Sequence, residues 1–150
     1  MEPTIITAKS LYEQKKYKEA KDTCSQILAS DNNSIEALTM LGAIELSTGN
    51  EQEALTLLTK VTELAPQLPP PWTNLANTYI QLGKLEKAEA ACRKAIKLNP
   101  NLFNSHFLLG SILIQQNKLR ESEKPLRKTI ELKPDLAEAH SNLGNMLRDT

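Results

Sequence analysis

A strict internal repeat is the feature that most limits what this chain can fold into. The sequence of 150 residues can be laid on itself at a spacing of 34, with no insertion between the copies. Two columns of mostly small or branched residues are Ala20, Ala54, Ala88 and Ser122, and Ile27, Val61, Ala95 and Thr129. Three more columns are Thr7, Leu41, Leu75, Leu109 and Leu143; Ala8, Gly42, Ala76, Gly110 and Gly144; and Asn32, Pro66, Pro100 and Pro134. Such a period predicts stacked units that bury their apolar faces only against one another.

Each copy of the repeat contains two helical patterns. In residues 69–102, apolar side chains recur at helical spacing over 72–79 and again over 85–96. Residues that suit a left-handed turn separate the two patterns, and they are Gly49, Gly83 and Asn117. Lys15 stands at the same place in the first copy and suits that turn less well. Because no strand-like alternation is sustained, the sequence predicts an all-α fold of antiparallel helix pairs.

These columns resemble the tetratricopeptide repeat, and residues 69–102 match its pattern best. The family's pattern has a bulky residue, a Leu-Ala pair, an aromatic residue, a turn residue, two alanines and a proline. In that order, this repeat has Trp72, Leu75, Ala76, Tyr79, Gly83, Ala88, Ala95 and Pro100. The resemblance covers the whole chain as a single array, 1–150. It divides the array into a degenerate repeat 1–34, repeats 35–68, 69–102 and 103–136, and the first helix of a fifth repeat, 137–150. It implies a right-handed α-solenoid of stacked helix pairs, the tetratricopeptide superhelix, with a concave and a convex side.

The composition argues against several partners. Eighteen basic residues balance eighteen acidic ones, so the chain has no net field that would attract nucleic acid or a membrane surface. The N-terminus lacks a basic start followed by an apolar run, and no stretch approaches the roughly eighteen apolar residues of a membrane helix. We therefore expect a cytoplasmic protein. Cys24 and Cys92 lie two repeats apart in one core column and are expected to be buried, reduced thiols.

No motif in the sequence indicates catalysis. His106 and His140 stand where Trp72 stands in its own repeat, and no cysteine or further histidine lies near them at metal-binding spacing. We interpret both histidines as packing residues and predict no metal site, no cofactor and no enzymatic activity. Pro125 falls inside a predicted helix, where a kink is expected, and we favour a tolerated substitution on a partly exposed face over a deliberate change in curvature.

The resemblance places the ligand groove on the first helix of each repeat. Carried over position by position, it implies these peptide-binding residues: Thr73, Asn74, Asn77, Gln81, Asn104, Phe107, Leu108, Ser111, Asn142 and Asn145. Chaperone adaptors of the family hold a terminal carboxylate with lysine, asparagine and arginine in three successive repeats. No window of this chain has the cationic pair of that clamp, so binding of a chaperone tail is not expected.

The paired asparagines are similar to the asparagine ladder of O-linked N-acetylglucosamine transferases. A carboxamide can bind both the N–H and the C=O of a peptide unit, whatever the side chains of the ligand. Met40 and Ala43 interrupt the ladder in the second repeat, and Leu108 and Ser111 interrupt it in the fourth, where Phe107 and Leu108 could form an apolar pocket. The alternative is that asparagine merely fills exposed positions of near-consensus repeats.

Three functions remain open from the sequence. The leading hypothesis is a scaffold that binds an extended segment of a protein or peptide ligand in the concave groove. The second is self-association through open solenoid ends, giving a homo-oligomer through the C-terminal helix, whose Leu143 and Leu147 lack a following helix in the sequence. The third, by analogy with bacterial proteins, is a substrate-docking region in front of a transferase or hydroxylase domain.

Overall fold

The structure, a computed structural model, describes residues 3–150, which form nine α-helices and no strand. The helices are α1 Ile5–Glu13, α2 Tyr17–Ser30, α3 Ile35–Ser47, α4 Glu51–Leu64, α5 Pro69–Gln81, α6 Leu85–Leu98, α7 Phe103–Gln115, α8 Leu119–Leu132 and α9 Ala137–Asp149. They group into two compact units. The first unit runs to Gln67 and holds α1–α4, and the second, Leu68–Thr150, holds α5–α9. The predicted all-α class is confirmed.

A left-handed residue connects the two helices of each pair. Lys15, Gly49, Gly83 and Asn117 all have a φ between 61° and 85°. In each turn the next residue's N–H bonds back to a carbonyl inside the preceding helix, as from Lys84 to the Tyr79 oxygen at 2.8 Å. This 6→1 bond satisfies a carbonyl that the helix end would otherwise leave unpaired. The turn chemistry read from the sequence is confirmed, and Lys15 adopts the turn although it has a side chain.

The pairs are separated where the proline column predicts. The second helices end at Leu64, Leu98 and Leu132, each two residues before the proline of its own repeat. Hydroxyl caps begin two of the first helices, because Thr4 Oγ1 accepts the N–H of Thr7 at 3.1 Å and Ser34 Oγ accepts that of Ala37 at 3.3 Å. Single residues therefore account for the ends of these second helices and for the starts of α1 and α3.

Small residues let the two helices of each pair approach closely. Ala20, Ala54, Ala88 and Ser122, the small-residue column, are fully buried. In the pairs α3–α4 and α7–α8, the closest approach brings Gly42 against Leu58 and Gly110 against Leu126. The small-residue column thus lies in the core of each unit, whereas the column of Asn32, Pro66, Pro100 and Pro134 is exposed between the helix pairs.

Both cysteines lie in this core. Cys24 and Cys92 are free and fully buried, as expected. Burial away from water disfavours the thiolate, and it raises the pKa of Cys24 to about 11 and that of Cys92 to about 12. Neither thiol is therefore activated for nucleophilic chemistry.

The expected surroundings of Pro125 were wrong. Helix α8 runs through the proline without interruption, and the Pro125 side chain is buried rather than partly exposed. The carbonyl of Pro125 accepts a hydrogen bond from Thr129 Oγ1 at 2.8 Å. Helical periodicity places position 125 on the same side of α8 as the buried Ser122 and Leu126, which is why it faces inward.

Candidate functional site

All ten residues predicted to bind a peptide lie on α5, α7 and α9 of the second unit. Helix α7 contacts both α5 and α9, so it is the middle helix of the three. We call the surface formed by these ten residues the three-helix face. Half-buried members are Thr73, Asn74, Asn77, Phe107, Leu108, Ser111 and Asn142, and exposed members are Gln81, Asn104 and Asn145. The structure therefore brings the predicted residues onto adjacent helices, with none in the closed core.

The four asparagines of the proposed ladder keep their carboxamides free. Among the residues that the structure describes, no hydrogen bond involves the side chain of Asn74, Asn77, Asn142 or Asn145; the bond from Thr78 Oγ1, at 2.9 Å, goes to the backbone carbonyl of Asn74. None of their side-chain N–H and C=O groups is both buried from water and without a hydrogen-bond partner. Each carboxamide can therefore exchange water for a ligand's peptide group without breaking an internal bond.

Two hydroxyls of the same face are already engaged. Thr73 Oγ1 and the buried Ser105 Oγ lie 2.9 Å apart and join α5 to α7. Ser111 Oγ donates to the Phe107 carbonyl at 3.0 Å, inside α7. Sequence reasoning assigned Thr73 and Ser111 to the ligand, but their hydroxyls first stabilise the helices that carry the asparagines.

An apolar strip, formed by Phe107 and Leu108 of α7 with Ile80 of α5, lies between the two pairs of asparagines. Leu108 and Ile80 pack, partly exposed, against the buried cluster that includes Leu109 and Ile112. Phe107 is also half-buried but is not part of that cluster. The strip therefore offers an apolar contact whose exposed portion a ligand side chain could cover.

The three-helix face carries little charge. Helices α5 and α7 hold no Lys, Arg, Asp or Glu at all. The charged residues of α9 are Glu138, Arg148 and Asp149, and Arg148 Nε lies 3.4 Å from Asp149 Oδ1. The face thus has no free cation beside its asparagines with which to hold a carboxylate.

The two histidines make one repeated structural contact. Nε2 of His106 lies 2.7 Å from the Pro100 carbonyl, and Nε2 of His140 lies 2.7 Å from the Pro134 carbonyl. A carbonyl only accepts, so Nε2 carries the proton and donates in both cases. His106 is buried, as the packing interpretation requires, whereas His140 is exposed. Over residues 3–150 no group of three metal-ligating side chains comes together.

The second unit also has a concave feature that no sequence motif indicated. A cavity of about 960 Å³ lies between α6 and α8, with the His106, Leu109 and Leu113 side of α7 as its floor. Helical periodicity puts these positions on the face of α7 opposite Leu108 and Ser111. The available signal was the pair His106 and Leu113, which replaces the larger Trp72 and Tyr79 of the preceding repeat.

Among the described helices, none has the length and apolarity needed to cross a membrane.

Three family models, all described as tetratricopeptide repeat, match this chain. They match residues 11–70, 69–102 and 91–124, and together they cover residues 11–124. None of the three is a model of a catalytic family. No curated protein sequence matches the chain.

Solved structures with the same fold are numerous. MamA superposes with a TM-score of 0.84 at 20% identity, over 95% of this chain and 83% of MamA. YrrB, titled a repeat protein with an unusual peptide-binding site, superposes at 0.77 with 20% identity, over 97% of this chain and 75% of YrrB. The first repeat domain of Spaghetti (RPAP3), bound to the HSP90 peptide SRMEEVD, superposes at 0.75 with 28% identity, over 77% of this chain and 94% of that domain.

Proposed function

Because this chain belongs to the tetratricopeptide repeat family, we propose that it is a protein-interaction scaffold whose three-helix face binds an extended polypeptide segment. The observation that carries the proposal is the set of four unpaired carboxamides on α5 and α9. The peptide-bound RPAP3 domain and the peptide-binding site named for YrrB support the same class of function.

The ligand class follows from what the face offers. The HSP90 peptide bound by RPAP3 carries several acidic groups, whereas the face of this chain has no free cation beside Asn74 or Leu108. We therefore propose that the ligand is not an acidic tail. Asn74, Asn77, Asn142 and Asn145 bind its peptide groups, and one apolar ligand side chain rests on Phe107 and Leu108.

Mutation of the ladder tests this proposal. A ligand is first selected from an array of immobilised neutral peptides, and its Kd is measured by fluorescence anisotropy. Since a hydrogen bond nets about 0.5–1.5 kcal/mol, Asn74→Ala with Asn142→Ala should weaken binding by roughly tenfold or more. The matched control, Asn32→Ala with Asn33→Ala, removes two exposed asparagines of the first unit and should leave the Kd unchanged.

Changes in the peptide distinguish backbone recognition from side-chain recognition. N-methylation of successive peptide amides should weaken binding, because it removes the N–H that donates a hydrogen bond to a carboxamide oxygen. Side-chain truncation should matter at one apolar position only, and Phe107→Ser should abolish that preference. If the asparagine variant and its control bind the peptide with equal affinity, the ladder hypothesis is wrong and the asparagines only occupy exposed positions.

A second candidate function is self-association through α9. Leu147 is 46% exposed, His140 is exposed, and a Cβ added to Gly144 would meet no atom within 4 Å. This side of α9 is therefore free to pack against a second copy. Light scattering over a range of concentrations should show a dimer that Leu147→Glu dissociates. Leu64→Glu is the control, since Leu64 is 43% exposed on α4. A monomer at every concentration removes this candidate.

A further inference from the structure

The cavity on the second unit lies between two helices whose backbones stay apart. Helices α6 and α8 both pack on α7, and within the described unit their backbones do not approach each other closely, although Glu89 of α6 pairs at 3.4 Å with Lys118, the residue before α8. The cavity of about 960 Å³ opens between them. Its floor is apolar, because it is made by Leu109 and Leu113 of α7, which are 5% and 1% exposed, and flanked by Ile96 and the buried Pro125.

Smaller side chains on α7 account for this open space. The positions that hold Trp72 and Tyr79 on α5 hold His106 and Leu113 on α7, and both smaller residues line the cavity. The hydrogen bond from His106 to the Pro100 carbonyl holds the imidazole at the edge of the floor. The cavity is a groove open to solvent, and its volume lies in the range of about 300–1,000 Å³ that is typical of ligand sites, so it is a candidate binding site.

The rim of the cavity has a positive excess in a chain whose net charge is zero. Three glutamates line it together with six basic residues, which are Arg93, Lys97, Arg120, Lys124, Arg127 and Lys128.

Part of this charge is neutralised within the chain. Arg127 pairs with Glu123 at 2.8 Å, Lys128 with Glu131 at 3.2 Å, and Arg93 with Glu89 at 3.1 Å. Among the described residues, the remaining three basic residues of the rim have no carboxylate within 4.0 Å; they are Lys97, Arg120 and Lys124. Within residues 3–150, Glu121 of the same rim also has no basic partner within 4.0 Å, so three unpaired cations stand against one unpaired carboxylate.

We propose that this cavity is a second docking site, which takes an acidic polypeptide segment of another protein. An apolar side chain of the segment enters above Leu109 and Leu113 and rests on the half-buried Ile96 and the exposed Pro100, and the carboxylates of the segment face Arg120 and Lys124. The charge of the rim is complementary to such a segment, and helix-lined grooves with an apolar floor are a common mode of peptide recognition.

The shape of the site favours a polypeptide over other anionic ligands. A free phosphate would leave the apolar floor uncovered. A membrane surface needs apolar side chains that project beyond the cations, but here they are recessed between two helices. Because the cavity and the three-helix face lie on opposite sides of α7, the acidic segment and the neutral ligand can bind at the same time.

The experiment uses the full chain and a fluorescein-labelled peptide in which glutamates flank one leucine. Binding by fluorescence anisotropy should weaken as salt rises, and it should be lost when serine replaces that leucine. Arg120→Gln with Lys124→Gln should raise the Kd about fivefold, since each exposed charge pair contributes little. Lys16→Gln with Lys18→Gln removes the same charge from exposed positions of the first unit and should change nothing.

A second variant fills the cavity without removing charge. His106→Trp with Leu113→Tyr places the α5 residues on α7, and the indole N–H can replace the histidine donor to Pro100. Peptide binding should fall at least about tenfold, while the neutral ligand of the three-helix face binds as before. The proposal is overturned if the wild-type chain does not bind the peptide, or if the rim and control variants bind it equally. It is also overturned if vesicles of phosphatidylserine and phosphatidylcholine bind to the rim and the peptide does not.

Discussion

Replacement of Gly110 by alanine should destabilise this chain, although the same change at Gly144 should stabilise it. A Cβ on Gly110 would lie 2.8 Å from Cγ and Cδ2 of Leu126, which is fully buried, whereas a Cβ on Gly144 would meet nothing within 4 Å. Cγ is the branch point of the leucine side chain, so α8 or the whole side chain must move to relieve the overlap.

At this contact, the two facing residues of each helix pair are complementary in size. A fully buried cysteine stands opposite alanine in two pairs, and a fully buried leucine stands opposite glycine in the other two. The four combinations are Ala8 with Cys24, Gly42 with Leu58, Ala76 with Cys92 and Gly110 with Leu126. A longer residue on the second helix therefore accompanies a smaller one on the first.

The magnitudes follow from two opposed effects. Overpacking of a closed core costs about 1–3 kcal/mol, and replacing glycine by alanine in a helix gains about 0.5–1 kcal/mol. Gly110→Ala should thus lower the free energy of unfolding by about 1–2 kcal/mol, and Gly144→Ala should raise it by about 0.5–1 kcal/mol. Leu126→Cys alone should cost about 2–3 kcal/mol, because it leaves a cavity.

The double variant tests whether the contact itself is the cause. Gly110→Ala with Leu126→Cys reproduces the combination found at Ala76 and Cys92, so it should be about 1–2 kcal/mol more stable than the sum of its single changes predicts. The assay is urea denaturation followed by far-UV circular dichroism, with thermal midpoints as a second measure, since about 1 kcal/mol shifts the midpoint by roughly 2–4 °C. Equal stabilisation by Gly110→Ala and Gly144→Ala, or strict additivity in the double variant, would refute the reasoning.

Three further predictions concern single residues. Lys15→Gly should raise the free energy of unfolding by about 1 kcal/mol, because it relieves a side chain at a φ of 61°, and a lower denaturation midpoint would contradict this. Burial raises the pKa of Glu89, but the hydrogen bonds and charges of Arg93 and Lys118 outweigh it and lower that pKa overall. At a pH above the ordinary glutamate pKa, Glu89→Gln should therefore lower the free energy of unfolding by about 0.5–1 kcal/mol. This loss should shrink as the pH falls through the lowered pKa, so the stabilities of the two chains should converge in acid. Cys92, whose pKa is about 12, should resist iodoacetamide at mildly alkaline pH until urea unfolds the chain, and rapid labelling of the folded chain, measured by mass spectrometry, would contradict its burial.

The candidate site was less predictable than the fold. The sequence predicts Asn74 and Asn142 as groove residues, because position within a repeat determines the side of a helix, and their role in binding stays a prediction. It could not show that Thr73 is engaged by Ser105, since that pairing depends on the distance between α5 and α7. It also placed Pro125 on a partly exposed face, because a general expectation about proline outweighed its position beside Leu126.

Residue order along the chain is enough to predict the helical pairing, through the period of 34, the turns at Gly83 and Asn117, and the small-residue column that becomes buried. These features follow from helical periodicity and from the conformational preferences of single residues, which act along the chain. Packing in three dimensions is needed to show which carboxamides stay free, which residues surround the cavity on α7, and that Leu126 packs against Gly110. These features depend on volumes and distances between side chains far apart in sequence, because a difference of one methyl group decides whether two helices fit.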